Sequence, residues 1–179
     1  MAVRPILRMG HPILRQVAAP LPETAFGSAT LMALITDMVD TLAEAGGIGL
    51  AAPQIGVSVR VAILQFRGGP TRYGHLEPMP LSVFVNPTIS VLDPSTAGYW
   101  EGCLSVPGLR GLVERPQSIR VQARDPEGNL IDLIRSGFPA TAFQHEFDHL
   151  DGVLYVDRLS DSRQLVFESE LHHVLPDAG

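Results

Sequence analysis

The fold is decided by residues 138–150, which read FPATAFQHEFDHL. Pro139 suits the first turn of a helix, where its missing N–H leaves no hydrogen bond unmade. A helix here places His145 and His149 four residues apart on one face, so both imidazoles can reach one metal ion. Glu146 lies beside the first histidine, close enough to move the proton of a water at that ion. The stretch predicts a metal-binding helix, and two surface histidines on an ordinary helix are the alternative.

A second helix is predicted upstream, over residues 28–45. Its apolar residues recur at helical spacing, namely Leu31, Leu34, Ile35, Met38 and Leu42. Ser28 is a suitable N-cap, and Gly46-Gly47 should end the helix.

Short alternating runs predict β-structure in the rest of the chain. Strands are expected over residues 59–63, 81–92, 118–123 and 130–134, with two short strands or a bend at Asn86-Pro87. The last two runs flank the turn signal Asp125-Pro126-Glu127-Gly128, which predicts a hairpin. Shaped loops are expected over residues 46–56, 68–80 and 98–111, and a C-terminal helix over 162–175.

This order of elements predicts an α+β fold with mostly antiparallel sheets packed around a central metal-binding helix. We expect one catalytic domain over residues 1–179, with a short helical tail from about residue 160. With 179 residues, 45% of them hydrophobic, the chain can bury a substantial core.

Composition excludes several classes of protein. The net charge of −6 and the scattered basic residues argue against a nucleic-acid site. No apolar run is long enough for a membrane span, and the first residues do not resemble a signal peptide, so we expect a cytoplasmic protein. The single cysteine cannot form an internal disulfide.

That cysteine, Cys103, is the candidate third metal ligand. A lone cysteine is often just a small buried side chain. Here Gly102 before it and Ser105-Val106-Pro107-Gly108 after it look like a formed turn rather than a core strand. A further glycine-rich segment, residues 46–54, lets backbone approach a ligand closely, although it could be only a turn between a helix and a strand. Gln54 within it could donate an amide N–H to an oxyanion.

Three segments together resemble the motifs of the peptide deformylases. They are Gly47-Ile48-Gly49-Leu50-Ala51-Ala52-Pro53-Gln54, Glu101-Gly102-Cys103-Leu104-Ser105 and Gln144-His145-Glu146-Phe147-Asp148-His149, in that order. The resemblance extends from the Met9-Gly10-His11-Pro12 region to Asp157-Arg158. It implies an enzyme that removes the formyl group from formyl-methionine at the start of nascent chains and releases formate.

The resemblance also implies roles for individual residues. Cys103, His145 and His149 would hold one divalent metal, usually Fe²⁺ with Zn²⁺ or Ni²⁺ able to replace it, and Glu146 would be the general base and acid. Gln54 and the N–H of Leu104 would form the oxyanion hole, and Glu101 and Arg115 a structural ion pair. Peptide contacts would come from Gly49 and Arg110, and the methionine pocket from Ile48, Phe138, Thr141, Ala142 and His145.

Some positions depart from the family pattern. Residues 139–143 are smaller than in many relatives, which leaves the pocket shape open. Some members dock on the ribosome through a basic C-terminal helix, but this tail carries Asp161, Glu168, Glu170 and Asp177 against Arg158 and Arg163. The resemblance therefore does not imply that this tail contacts the ribosome. Asp148, next to His149, is expected to orient groups around the metal ligands.

Two other functions stay open at this point. A general metallopeptidase shares the helix motif, although its third ligand usually lies downstream of the helix. A non-catalytic metal- or peptide-binding relative would keep the same residues without turnover. Comparing the rates of formyl-peptide hydrolysis and internal peptide cleavage distinguishes a deformylase from a general metallopeptidase. A formate-release assay on a metal-loaded sample distinguishes a deformylase from a non-catalytic relative.

Overall fold

The computed structural model describes residues 2–71 and 74–175. Within them the chain forms two α-helices, α1 (Ala29–Ala45) and α2 (Phe138–Asp148). The strands are β1 (Gly49–Ala51), β2 (Val61–Phe66), β3 (Gly69–Thr71), β4 (Gly74–Leu76), β5 (Met79–Cys103), β6 (Val106–Arg124), β7 (Leu130–Ser136) and β8 (Leu165–Phe167). Short 3₁₀ turns cover Pro12–Arg15, Glu23–Ala25, Ala52–Ile55, His149–Asp151, Tyr155–Arg158, Ser162–Gln164 and Glu168–His173.

The main sheet is antiparallel throughout. Its order is β1-β2-β5-β6-β7, and β8 also pairs with β6, while β3 and β4 form a separate hairpin. The long β5–β6 hairpin is at its centre, and its residue pairs run from Val85 with Arg124 to Cys103 with Val106. The predicted α+β class with antiparallel sheets is confirmed.

Helix α2 packs its aromatic residues against this sheet. Phe143 and Phe147 both contact Phe84 of β5 edge-to-face, with ring centroids 5.0 and 6.0 Å apart. All three are buried, as are Ala140 and Leu150 beside them. This apolar contact fixes the helix over the sheet. His145 and Glu146 of the same helix line the cleft described below.

Helix α1 has the predicted ends. The Ser28 side chain accepts a hydrogen bond from the N–H of Leu31 at 3.2 Å, and Gly46 closes the helix with φ of 75°. A left-handed residue at this position favours glycine. Leu31, Ile35, Met38 and Leu42 are buried against β1 and β2.

The predicted break at Asn86-Pro87 is a bulge and not a gap between strands. The β5–β6 register shifts between Val85 and Thr88, and Asn86 has φ of 50°. Its side-chain amide exchanges two 2.8 Å hydrogen bonds with the backbone of Leu21. Asparagine tolerates this conformation, so the strand continues through the proline.

Three predicted loops contain regular structure instead. Residues 46–56 include β1, residues 68–80 include β3 and β4, and residues 98–111 belong largely to β5 and β6. Local glycine and proline content predicted loops there, but cross-strand pairing satisfies the backbone groups of these segments.

The prediction of a C-terminal helix is wrong. Residues 162–175 form two 3₁₀ turns separated by β8, which pairs Leu165 with Gly111 and Phe167 with Leu109. The open edge of β6 offers hydrogen bonds that a strand can complete, and this tertiary pairing overrides helix propensity. Asp177, part of the predicted acidic tail, lies outside the described residues.

Among residues 2–71 and 74–175, no helix has the length and apolar character needed to cross a membrane.

We predict that Ser28→Ala lowers the free energy of unfolding by about 1 kcal/mol, because the N–H of Leu31 loses its cap. Urea unfolding measures the change. Ser28→Asn is the control, since asparagine caps equally well and should leave stability nearly unchanged. Equal losses in both variants would contradict a capping role.

Candidate active site

An open cleft of about 630 Å³ lies where α2 faces β1 and the turn between β5 and β6. It brings together most of the residues singled out from the sequence. Those lining it are Ile48, Gly49, Gln54, Glu101, Cys103, Leu104, Arg110, Phe138, Thr141, Ala142, His145 and Glu146. The three others, Arg115, Asp148 and His149, are buried outside this lining.

Cys103, His145 and His149 form a compact cluster of potential ligand atoms. One ligand atom from each lies within 4.8 Å of the others, and Sγ of Cys103 is 3.3 Å from Nε2 of His149. Helix α2 ends at residue 148, and the following 3₁₀ turn keeps His149 one turn after His145. Cys103 is the last residue of β5, where the β5–β6 register shifts, and its side chain lies beside both histidines.

The chemistry of these atoms fits a divalent transition metal. A thiolate and two imidazoles are ligands that such ions prefer, and three protein ligands leave a position open. Burial is the main cause that holds the pKa of His149 well below its ordinary value, so its ring is neutral and able to bind an ion. Among the described residues, one oxygen of Glu146 is buried beside the cluster without a hydrogen-bond partner.

Glu101 fixes the orientation of His145. Its Oε2 lies 2.7 Å from Nδ1 of His145, which leaves Nε2 of the ring for the cluster. Burial raises the pKa of Glu101, but hydrogen bonds from His145 and Arg115 outweigh burial and lower that pKa below its ordinary value. A carboxylate behind a histidine in this way fixes the tautomer and strengthens it as a ligand.

Arg115 is a buried cation that holds two carboxylates. Its Nε and Nη2 donate to Glu101 at 2.6 and 3.1 Å, and its Nη1 donates to Asp148 at 2.7 Å. Asp148 also accepts from Arg158 at 2.7 and 3.1 Å. The side chain of Arg115 is only 4% exposed, and these carboxylates raise its pKa above the usual value despite burial. The network ties β5, β6 and α2 together behind the cluster.

Glu146 is pressed against the backbone of Gly49. A Cβ placed on Gly49 would lie 2.4 Å from Oε1 of Glu146, closer than any real contact, so only glycine fits there. Glu146 is 6% exposed, and burial raises the pKa of its carboxyl to about 7. A carboxyl with a pKa in this range can both accept and donate a proton near neutral pH.

Gln54 is held rigidly at the floor of the cleft. Its Oε1 accepts from the N–H of Ala51 at 2.8 Å, and its Nε2 donates to Oγ of Ser105 at 3.2 Å and to Sγ of Cys103 at 3.6 Å. The acceptor contact fixes the amide so that its N–H groups face Cys103. Leu104, whose N–H was also predicted to contact an oxyanion, follows Cys103 directly and lines the cleft.

Other residues of the site escaped the sequence reasoning. Tyr155 is buried and stacks on His145, with centroids 6.0 Å apart and planes 22° from parallel. Trp100 and Glu168 line the cleft. Trp100 could have been identified from the sequence, since it is an aromatic residue directly before Glu101. No local pattern pointed to Glu168, which reaches the cleft only through the pairing of β8.

Comparison with known sequences points to one family. The polypeptide deformylase family matches residues 3–165. Peptide deformylase 2 of Pseudomonas syringae pv. tomato is 47% identical over 165 residues, covering 92% of each chain. The peptide deformylase of Leptospira biflexa serovar Patoc is 44% identical over 171 residues, covering 96% of each.

Solved structures agree with the sequence comparison. The class I type b peptide deformylase of Acinetobacter baumannii, in its crystal structure with Met-Ala-Ser bound, superposes with a TM-score of 0.81. It is 37% identical in sequence, and the match covers 88% of this chain and 99% of that one.

We predict that Arg115→Gln lowers the free energy of unfolding by about 3–5 kcal/mol, because Glu101 stays buried without its cation and Asp148 keeps only the more exposed Arg158. Arg120→Gln is the matched control on the same strand. Arg120 pairs with Asp132 at the surface, where its side chain is 48% exposed, so less than about 1 kcal/mol should be lost. Urea unfolding of both variants tests this, and similar losses would contradict a special role for Arg115.

Proposed function

The chain belongs to the polypeptide deformylase family and is a hydrolase that removes the N-terminal formyl group from newly synthesised polypeptides; we propose how its residues do so. The observation that carries the proposal is the buried Glu146 carboxylate, which lies against Gly49 beside the cluster of Cys103, His145 and His149. A proton-transfer group next to potential metal ligands is the arrangement that metal-assisted hydrolysis of an amide uses.

Cys103, His145 and His149 would hold the metal. The family is metal-dependent, and these three side chains supply one sulfur and two nitrogen ligands. When bound, a divalent ion supplies Lewis-acid chemistry that activates water and polarises a carbonyl. We infer Fe²⁺ as the working ion from the resemblance to the family. Mixed thiolate and imidazole ligands also suit Zn²⁺ and Ni²⁺, which could replace it.

Glu146 would move the proton. It accepts a proton from the attacking water as the new C–O bond forms at the formyl carbon. It then delivers that proton to the amine nitrogen as the C–N bond breaks, which releases formate and a free N-terminus. The pKa of about 7 that burial imposes suits both steps at neutral pH.

Gln54 and the N–H of Leu104 would stabilise the developing oxyanion. The amide of Gln54 is fixed by Ala51 and Ser105, so its N–H needs little reorganisation during the reaction. Removing one such donor typically costs about 3–4 kcal/mol of transition-state stabilisation.

The peptide would lie along the cleft next to β1. Gly49 would hydrogen-bond its backbone, in the manner of a strand added to a sheet edge. The first side chain, methionine, would enter the pocket near His145 that is lined by Ile48, Phe138, Thr141 and Ala142. The relative with Met-Ala-Ser bound supports a cleft for at least three residues.

We place this activity in a single domain spanning the chain, in the cytoplasm, where nascent N-formylmethionyl peptides are made. The proposal assigns no nucleic-acid site and no membrane contact. It also assigns no ribosome contact to the tail, whose 3₁₀ turn at Glu168–His173 carries two glutamates in its first turn.

We predict that Glu146→Gln lowers kcat for N-formyl-Met-Ala-Ser by roughly two to four orders of magnitude, because the amide cannot accept the proton. Metal content should not change, since Glu146 is not a proposed ligand. Glu23→Gln, on a side chain 79% exposed, is the control and should keep full activity. Formate release and metal analysis on oxygen-free preparations give both values.

The same assay separates this function from its alternatives. The wild-type enzyme should release formate and leave the internal peptide bonds intact. Faster cleavage of internal bonds would favour a general peptidase, and a metal-loaded protein that releases no formate would favour a binding protein. Full activity in Glu146→Gln would mean that another base acts.

A further inference from the structure

The C-terminal tail reaches the cleft from outside the region that defines the family. The family match ends at residue 165, but Glu168 lines the cleft together with Arg110. Strand β8 places it there, because Val166 pairs with Arg110 in the β6–β8 ladder. Glu168 follows directly after this strand.

Arg110 is held on two sides. Its guanidinium lies across the backbone of Gly102, since a Cβ there would be 2.1 Å from Nη1 of Arg110. On the other side Glu168 accepts from Arg110, with Nε 3.1 Å from Oε1 and a second, shorter contact from Nη2. Gly102 is next to Cys103, so the ion pair is at the cleft wall close to the metal ligands.

The pair is too exposed to serve mainly for stability. The side chains of Arg110 and Glu168 are 29% and 53% exposed, and ion pairs of this kind contribute little to folding. Their charges nevertheless face the cleft in which the peptide would lie. With both present, this part of the wall is close to neutral.

We propose that Glu168 is a specificity-determining residue, which neutralises Arg110 and so makes the enzyme accept peptides regardless of the charge that follows formyl-methionine. This inference rests on the proposed function, because it assumes that the cleft holds the formyl-peptide. Without Glu168, Arg110 presents an unbalanced positive charge. Acidic residues in the peptide are then attracted to the wall and basic residues are repelled.

The test compares kcat/KM for C-terminally amidated peptides with Glu, Gln or Lys at either of the two positions after formyl-methionine. In Glu168→Gln, the preference for Glu over Lys should rise about three- to tenfold at one of these positions, relative to wild type. Glu168→Lys should raise it further. The change should shrink as salt is added, because mobile ions screen exposed charges.

Glu170→Gln is the matched control. Glu170 lies in the same 3₁₀ turn and its loss changes the net charge equally, but it does not line the cleft. The Glu170→Gln enzyme should prefer Glu over Lys in the peptide to the same extent as the wild type.

Two results would overturn the inference while the enzyme still deformylates. One is an unchanged preference in both Glu168 variants at both positions. The other is an equal change in Glu170→Gln, which would show an effect of net charge alone. By contrast, a metal-loaded wild type that released no formate from any of the peptides would contradict the proposed function itself.

Discussion

The site depends on one buried cation. Arg115, 4% exposed on its side chain, bridges Glu101 on β5 and Asp148 at the end of α2. Removing one partner of a pair this deeply buried leaves an uncompensated charge, so these contacts hold β5, β6 and α2 together. Glu101 in turn contacts Nδ1 of His145. The position of a proposed metal ligand is therefore set by ionic contacts that begin on a neighbouring strand.

The cleft walls are also shaped by two places where the backbone of a glycine comes very close to a charged side chain. Gly49 allows β1 to meet the Glu146 carboxylate, and Gly102 allows the Arg110 guanidinium to lie over the end of β5 beside Cys103. A Cβ at either position would overlap a charged side chain, which would then have to move. Burial then raises the pKa of Glu146 towards neutrality, so the packing that forms the site also adjusts its chemistry.

Features encoded by local patterns could be predicted from the sequence, whereas those made by pairing between distant segments could not. Both ends of α1 and the start of α2 follow from Ser28, Gly46 and Pro139, whose effects are local, whereas α2 ends two residues earlier than predicted. The tail does not, since β8 exists only because the edge of β6 lies beside it. The same pairing brings Glu168 into the cleft. Asp148 was expected to orient its neighbours, but its link to Arg115 required the fold to be known.

The proposed chemistry depends on Cys103, His145 and His149 holding the metal together. X-ray absorption at the metal edge, on protein purified without oxygen, tests it most directly. We expect one sulfur and two imidazole nitrogens bound to the ion, with the sulfur lost in Cys103→Ser. A wild-type spectrum with only nitrogen and oxygen neighbours would contradict it.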